Sequence, residues 1–256
     1  MSVLRLFRVE HEGSARYALE SAGSYHLVDG DVFAGPPYRT GAAIVAARIL
    51  APVSPSKIVA IGLNYRDHAA EMKKALPAEP LMFMKPSTAV IGPEDAIRLP
   101  PGVGRVDHEA ELGVVIGRRA HRVSADDAPG YVLGLTCIND VTARELQVKD
   151  VQYTRAKGFD TFAPVGPCIA LGLDPAALDI EGWVNGERRQ ASNTRQLIFS
   201  VSQIVAFASA VMTLLPGDVI ATGTPSGVGP LKANDRVTVK IAGIGELSNA
   251  VMEVER

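Results

Sequence analysis

Cysteine is almost missing: Cys137 and Cys168 are the only two in 256 residues, which excludes a disulfide framework. No excess of one charge sign exists either. A formal net charge of −2 gives no reason to expect nucleic acid or an anionic membrane as partner. Long apolar runs are lacking as well. The most apolar stretch, Val201 to Leu215, is too short and too rich in Ser and Gln to span a bilayer. The opening "MSVLRLFRVEHEGS" puts Arg5, Arg8 and Glu10 where a signal peptide needs its apolar centre, so the expected location is cytoplasmic. The five histidines, His11, His26, His68, His108 and His121, are scattered without zinc-ligand spacing. "GTPSGVG" (223–229) lacks the Lys-Ser or Lys-Thr pair of a P-loop. Neither repeats nor low-complexity tracts occur.

What is present describes a globular chain. Hydrophobic content of 47% against 21% charged residues suits a large buried core. Short β-like pieces ("LRLFRV", "ARYALE", "SYHLV") fill the start and end at "LAPVSPSKIV", where Pro52 and Pro55 mark a linker. This divides the chain into a small N-terminal domain, 1–52, and a catalytic domain, 53–256. In the second part "KIVAIG" reads as a buried strand and "NYRDHAAEMKKAL" as a polar helix closed by Pro77 and Pro80. Asn185-Gly186 marks a hairpin. Thr142 with Glu145, and Ser200 with Gln203, have capping-box spacing, with Pro216-Gly217 stopping the second helix. The tail alternates as two strands. Strands are not regularly interleaved with helices, so the fold class is α+β and β-rich, a sandwich or rolled barrel and not a doubly wound sheet.

The stretch "VDHEAELGVVIG" (106–117) places Glu109 and Glu111 two residues apart, on one side of a strand. A lone E-x-E is most often a solvated face. Here the same side continues as Gly113, Val115 and Gly117, and the other side reads Ala110, Leu112, Val114, Ile116. Both sides are therefore expected to be covered, and two close carboxylates in a covered site need protonation or a cation. Asp140 ends the apolar strand "YVLGLTCIND" and is the natural third partner, unless it is only a helix N-cap. Three carboxylates suit Mg²⁺, Mn²⁺ or Ca²⁺. His108 lies on the side opposite the glutamates and is expected to pack.

In order, "IGLNYRDHAAEM", "FMKPSTAVIG", "DHEAELGVVIG", "INDVTARELQ", "AKGFDTFAPVGP" and "GDVIATGTPSGVG" resemble the fumarylacetoacetate hydrolase family, from about Ile58 to the C-terminus. The nearest likeness is to its bacterial acylpyruvase and 2-hydroxyhepta-2,4-diene-1,7-dioate isomerase branch. The resemblance implies a mixed β-sandwich roll of the family's C-terminal type with a small N-terminal β domain. It also implies a divalent metal, Mg²⁺ or Mn²⁺ with Ca²⁺ as an option, on Glu109, Glu111 and Asp140, and a homodimer.

Roles for other residues follow from the same resemblance. Lys157 would donate to the substrate oxygen or the enolate. Arg144, Gln147 and Thr224 would contact substrate carboxylate or carbonyl groups. His68 and Glu71, at i and i+3, would form a water-activating pair on a lid, and Lys73 and Lys74 a solvated exterior. Without the resemblance Lys157 reads as a loop lysine, and His68 with Glu71 as an incidental surface pair. The implied activity is cleavage of a C–C bond next to a 2-oxo acid: acylpyruvate hydrolysis, with oxaloacetate decarboxylation a close second. The alternatives are isomerisation of an unsaturated 2-oxo diacid in aromatic degradation and a non-enzymatic binding module.

Overall fold

The computed structural model describes residues 3–36 and 38–254. The first fifty residues form β1 (Leu4–His11), β2 (Ser14–Ser21), β3 (Ser24–Asp29), β4 (Arg39–Ile44) and β5 (Arg48–Leu50). Next come β6 (Lys57–Gly62), helix α1 (Arg66–Glu71), β7 (Leu81–Pro86), β8 (Val90–Ile91) and β9 (Ile97–Leu99). The acidic stretch forms β10 (Val106–His108) and β11 (Ala110–Ile116), followed by β12 (Val132–Asn139) and β13 (Thr142–Ala143). Helices α2 (Arg144–Asp150) and α3 (Thr154–Lys157) lead into β14 (Ala163–Leu171). The chain closes with β15 (Asp179–Val184), β16 (Glu187–Asn193), α4 (Val201–Val211), β17 (Val219–Ala221), β18 (Gly229–Pro230), β19 (Arg236–Ile241) and β20 (Gly245–Glu253).

A twelve-stranded sheet runs β4-β3-β2-β1-β14-β12-β11-β17-β6-β7, with β5 on β1 and β8 on β14. A five-stranded sheet, β16-β15-β19-β20-β9, packs against it, and β13-β10-β18 form a small third sheet. This is the expected strand-rich α+β architecture. Alternation decides where the core sits. Val59, Ile61, Leu112 and Val114 face a core shared with α4, β15 and β19, while Ile58, Ala60 and Val115 face a second core on the other side. Every residue of β11 is buried, as the covered-strand reading requires.

The N-terminal strands extend the main sheet: β1 pairs with β14, Leu6 opposite Ile169, and Phe7 and Val9 enter the first core. The Asn185-Gly186 hairpin joins β15 to β16 with φ of 53° and 79°, as a two-residue turn of that sequence favours. Ser200 and Gln203 form their capping box.

Three local expectations are corrected. Thr142 caps nothing. It pairs in β13 with Asp107, its hydroxyl donates to the Asp140 carbonyl (2.8 Å), and α2 starts only at Arg144 without a side-chain cap. Helix α1 stops at Glu71, because Lys73 takes a left-handed φ of 53° well before the prolines. Helix α4 likewise ends at Val211, before Pro216, since Met212 turns extended and Leu214 pairs with Ala120. Among the described residues no helix is long and apolar enough to cross a membrane.

Candidate active site

The β11–β12 ladder builds the site. Its antiparallel register sets Ala110 opposite Asn139 and Glu111 opposite Ile138. One step further, the Asp140 N–H donates to the Glu109 carbonyl (2.9 Å), so these two acids face each other at the ladder end. The three buried carboxylates of Glu109, Glu111 and Asp140 each offer an oxygen within 4.8 Å of the others. Asp140 is thus no helix cap. It belongs to the triad.

Cationic side chains surround two of these acids. Lys157, the last residue of α3, is buried and lies 5.0 Å from the Phe83 ring centre. Its ammonium donates to Glu109 Oε2 (2.9 Å) and Asp140 Oδ2 (2.6 Å). Arg144 reaches Glu109 Oε1 (2.5 Å), Asp107 Oδ2 (2.8 Å) and Gln147 Oε1 (3.0 Å). Burial alone would push the Glu109 carboxyl up, yet Lys157 and Arg144 together hold it well below the usual carboxylate range. Burial would also lower Lys157, but Asp140 and Glu109 raise it above the ordinary lysine value.

Glu111 differs. Among the described residues its one donor is the Gly223 N–H (2.7 Å). Burial first, then the charges of Asp140 and Glu109, push its carboxyl well above the ordinary range. A divalent cation would reverse that balance, and an all-oxygen carboxylate set is the donor chemistry Mg²⁺, Mn²⁺ and Ca²⁺ prefer. The strand end that carries the triad is fixed, since Asn139 Oδ1 accepts the Glu109 N–H (2.9 Å). The residues present therefore fit a divalent cation.

Lys85 is the site residue that sequence reasoning missed. It is fully buried, and its ammonium donates to Asp140 Oδ1 (2.5 Å) and the Val141 carbonyl (3.1 Å). The signal was a lone lysine inside the apolar strand "LMFMKP". Burial lowers its pKa more than Asp140 restores it.

A cavity of about 340 Å³ opens over the triad, bordered also by Arg144, Gln147, Lys157, Thr224 and His68. His68 Nδ1 lies 3.0 Å from Glu71 Oε2, and Glu71 Oε1 accepts the Gly227 N–H (3.1 Å). The hydroxyl of Thr224 donates to the Ala110 carbonyl (2.9 Å) and accepts from Gln190 Nε2 (2.8 Å). That hydroxyl holds the loop, and Thr224 meets the cavity beside it. His108 packs as expected, its Nδ1 3.2 Å from Gln190 Oε1. Lys73 and Lys74 are both exposed as expected, and Lys74 also borders the cavity. The wall between is apolar, with Met72, Leu81, Phe83 and Val148.

Fold and site together define a strand-rich α+β enzyme with a buried acidic triad suited to a divalent cation. Residues 57–252 match the family model for the fumarylacetoacetate (FAA) hydrolase C-terminal domain, and the chain belongs to the fumarylacetoacetate hydrolase family. An uncharacterized protein of Archaeoglobus fulgidus is 54% identical over 234 residues, covering 91% of this chain and 92% of that one. The crystal structure of 2-hydroxyhepta-2,4-diene-1,7-dioate isomerase from Mycobacterium marinum superposes with a TM-score of 0.91 at 42% identity, covering 99% of this chain and all of the other. Maleylpyruvate hydrolase from Sphingobium sp. SYK-6, in complex with manganese(II) and pyruvate, gives a TM-score of 0.81 at 32% identity over 98% of this chain and all of that one.

Proposed function

We propose that the protein is a Mg²⁺- or Mn²⁺-dependent enzyme that cleaves the C–C bond next to a 2-oxo acid, with acylpyruvates as hydrolytic substrates and oxaloacetate as a substrate for decarboxylation. One observation carries this reading: a single cavity is bordered by the acidic triad, by Lys157 and by His68 of the His68–Glu71 pair. The manganese and pyruvate in the Sphingobium maleylpyruvate hydrolase complex support the same choice of ligands.

Glu109, Glu111 and Asp140 would hold the cation, which supplies Lewis acidity toward the 2-oxo oxygen. Arg144 and Gln147 orient the substrate carboxylate at the cavity wall. Lys157 turns from the carboxylates toward the 2-oxo oxygen and stabilises the charge that gathers there as the bond breaks. For hydrolysis, His68 takes a proton from water, and Glu71 at Nδ1 holds the imidazole in the tautomer that can accept it. The hydroxyl adds to the acyl carbon, the C–C bond breaks, and its electron pair leaves with the enolate of pyruvate, which a proton then quenches. Oxaloacetate needs no such water, since loss of CO₂ leaves the same enolate.

The second reading is isomerisation of an unsaturated 2-oxo diacid, favoured by the name of the Mycobacterium marinum neighbour. One panel separates the two. Acetylpyruvate, fumarylpyruvate, oxaloacetate and a hydroxymuconate-type diacid are incubated with enzyme and Mg²⁺ in D₂O, and products are followed by NMR. Cleavage to pyruvate supports the first reading. Deuterium incorporation with no carbon lost supports the second, and no change in any of the four overturns both.

A further inference from the structure

We propose that strand β16 is the latch of helix α1, and that Gln190 and Ser192 on that strand are positioning residues for the His68–Glu71 pair; the proposal rests on the reading of that pair as water-activating. Helix α1 has six residues, too few to hold its own shape or aim without tertiary contacts. Its entry is fixed to the segment after β16. The Asn64 carbonyl accepts the Ile198 N–H (2.8 Å), Asn64 Nδ2 donates to the carbonyls of Phe199 (3.1 Å) and Thr222 (2.8 Å), and Tyr65 pairs with Leu197. What remains to be set is where His68 and Glu71 point.

Both are set from β16. Gln190 and Ser192 are two apart and point to the same side, with Ala191 exposed on the other. The Ser192 hydroxyl donates to Asp67 Oδ2 (2.5 Å), and Asp67 Oδ1 accepts the His68 N–H (2.7 Å). One carboxylate therefore ties the His68 backbone to the strand. Gln190 governs the other end through the 224–227 loop. Its Nε2 donates to the Pro225 carbonyl (2.9 Å) and to Thr224 Oγ1 (2.8 Å), while its Oε1 accepts the Ala110 N–H from β11 (2.9 Å). That loop presents the Gly227 N–H to Glu71 (3.1 Å). It lies flush on β16, since a Cβ at Gly227 would meet the Arg189 carbonyl oxygen at 2.1 Å. Gln190 thus ties the metal-ligand strand and the Glu71 clamp to one amide.

Neither Gln190 nor Ser192 borders the cavity, so neither touches substrate. Ser192 acts on the placement of the pair alone, whereas Gln190 also holds Ala110 between the two glutamates, so the selective test is made at Ser192. Loosening the latch there should slow the step that needs an activated water and leave enolate formation at the triad untouched. That selectivity separates positioning from general stabilisation.

The test uses the full chain with Mg²⁺ and the variants Ser192→Ala and Ser192→Thr, which are small changes on a partly exposed strand position. Acetylpyruvate hydrolysis is measured as kcat and KM, oxaloacetate decarboxylation reports enolate formation without an activated water, and amide hydrogen exchange reports residues 66–71. For Ser192→Ala we expect kcat for hydrolysis to fall about ten- to a hundredfold, the loss typical of a misplaced catalytic group. Decarboxylation should stay within about twofold, amides 66–71 should lose protection, and Ser192→Thr should restore all three values. Equal losses in both reactions, or unchanged hydrolysis and amide protection, would overturn the latch. If the wild type decarboxylates oxaloacetate but hydrolyses no acylpyruvate, the hydrolase reading fails separately. The amide data then decide the latch by themselves: lost protection in Ser192→Ala supports it and unchanged protection overturns it.

Discussion

Glu109 and Asp140 face each other across the end of the β11–β12 ladder and share one buried ammonium, that of Lys157, at 2.9 and 2.6 Å. These two carboxylates belong to the triad that would hold a cation. Lys157 offsets the two acids in the metal-free protein, and under the proposed function it would turn to substrate once a cation took its place.

Lys157→Met should lower turnover of hydrolysed and decarboxylated substrates alike, by about a hundredfold or more, because both routes gather charge on the same oxygen. Without metal, the variant should also be destabilised by about 3–5 kcal/mol, the cost of leaving a buried carboxylate unpaired. Chemical denaturation in EDTA checks this, and a variant as stable as the wild type would return Lys157 to a lesser role.

Lys85→Met should show the stability loss, again about 3–5 kcal/mol. Its ammonium holds the Asp140 oxygen that Lys157 does not, so Asp140 should lose its fixed orientation and bind Mn²⁺ more weakly. Calorimetric titration of the folded variant measures this. Unchanged Mn²⁺ affinity would mean that Asp140 is held without it.

Asp218 predicts a pH effect away from the site. Burial would raise its pKa, but Lys57 Nζ (2.5 Å), Ser56 Oγ (2.6 Å) and the Leu215 N–H (2.8 Å) outweigh that and hold it below the ordinary 3.8. A carboxylate depressed in the folded state contributes stability above its unfolded pKa and loses it as pH falls through the folded value. Asp218→Asn should therefore lie about 1–3 kcal/mol below wild type at pH 7, and the gap should shrink below about pH 4. Melting curves at pH 7, 5 and 3 test it, a constant gap being the contrary result.

The strand content and the triad were legible in the sequence because alternation in a covered strand leaves few places for a carboxylate. Glu109 and Glu111 stood out against Leu112, Val114 and Ile116, and Asp140 against an apolar strand end. Lys85 was not read, since its partner Asp140 is 55 residues away and becomes a neighbour only through the fold. Local signals misled at Thr142 and Glu145, where pairing of Thr142 with Asp107 overrode capping-box spacing. Lys74 is solvated as expected, but α1 ends before it, and it also borders the cavity. Asn64 and Tyr65, just before α1, are buried, and only the part of the lid segment beyond Glu71 lacks such anchors.

Glu71→Gln should suppress acylpyruvate hydrolysis more than oxaloacetate decarboxylation, because only hydrolysis needs water deprotonated. Oxalate, a flat mimic of pyruvate enolate, should raise amide protection of residues 66–80 when Mg²⁺ is present, as the helix closes over the cavity. Equal losses in both reactions would leave the pair a positioning element, and protection indifferent to oxalate would mean that the segment is no lid.

The central claim is that Glu109, Glu111 and Asp140 bind a divalent cation to form the enolate of a 2-oxo acid. Exchange of the pyruvate methyl protons in D₂O, followed by proton NMR, tests it without requiring the physiological substrate. The account predicts exchange that depends on Mg²⁺, stops on chelation, and is absent in Glu111→Ala, whose metal-free melting temperature holds or rises as repulsion is relieved. Exchange at the same rate with and without Mg²⁺, or in a Glu111→Ala variant equal to wild type, would contradict it.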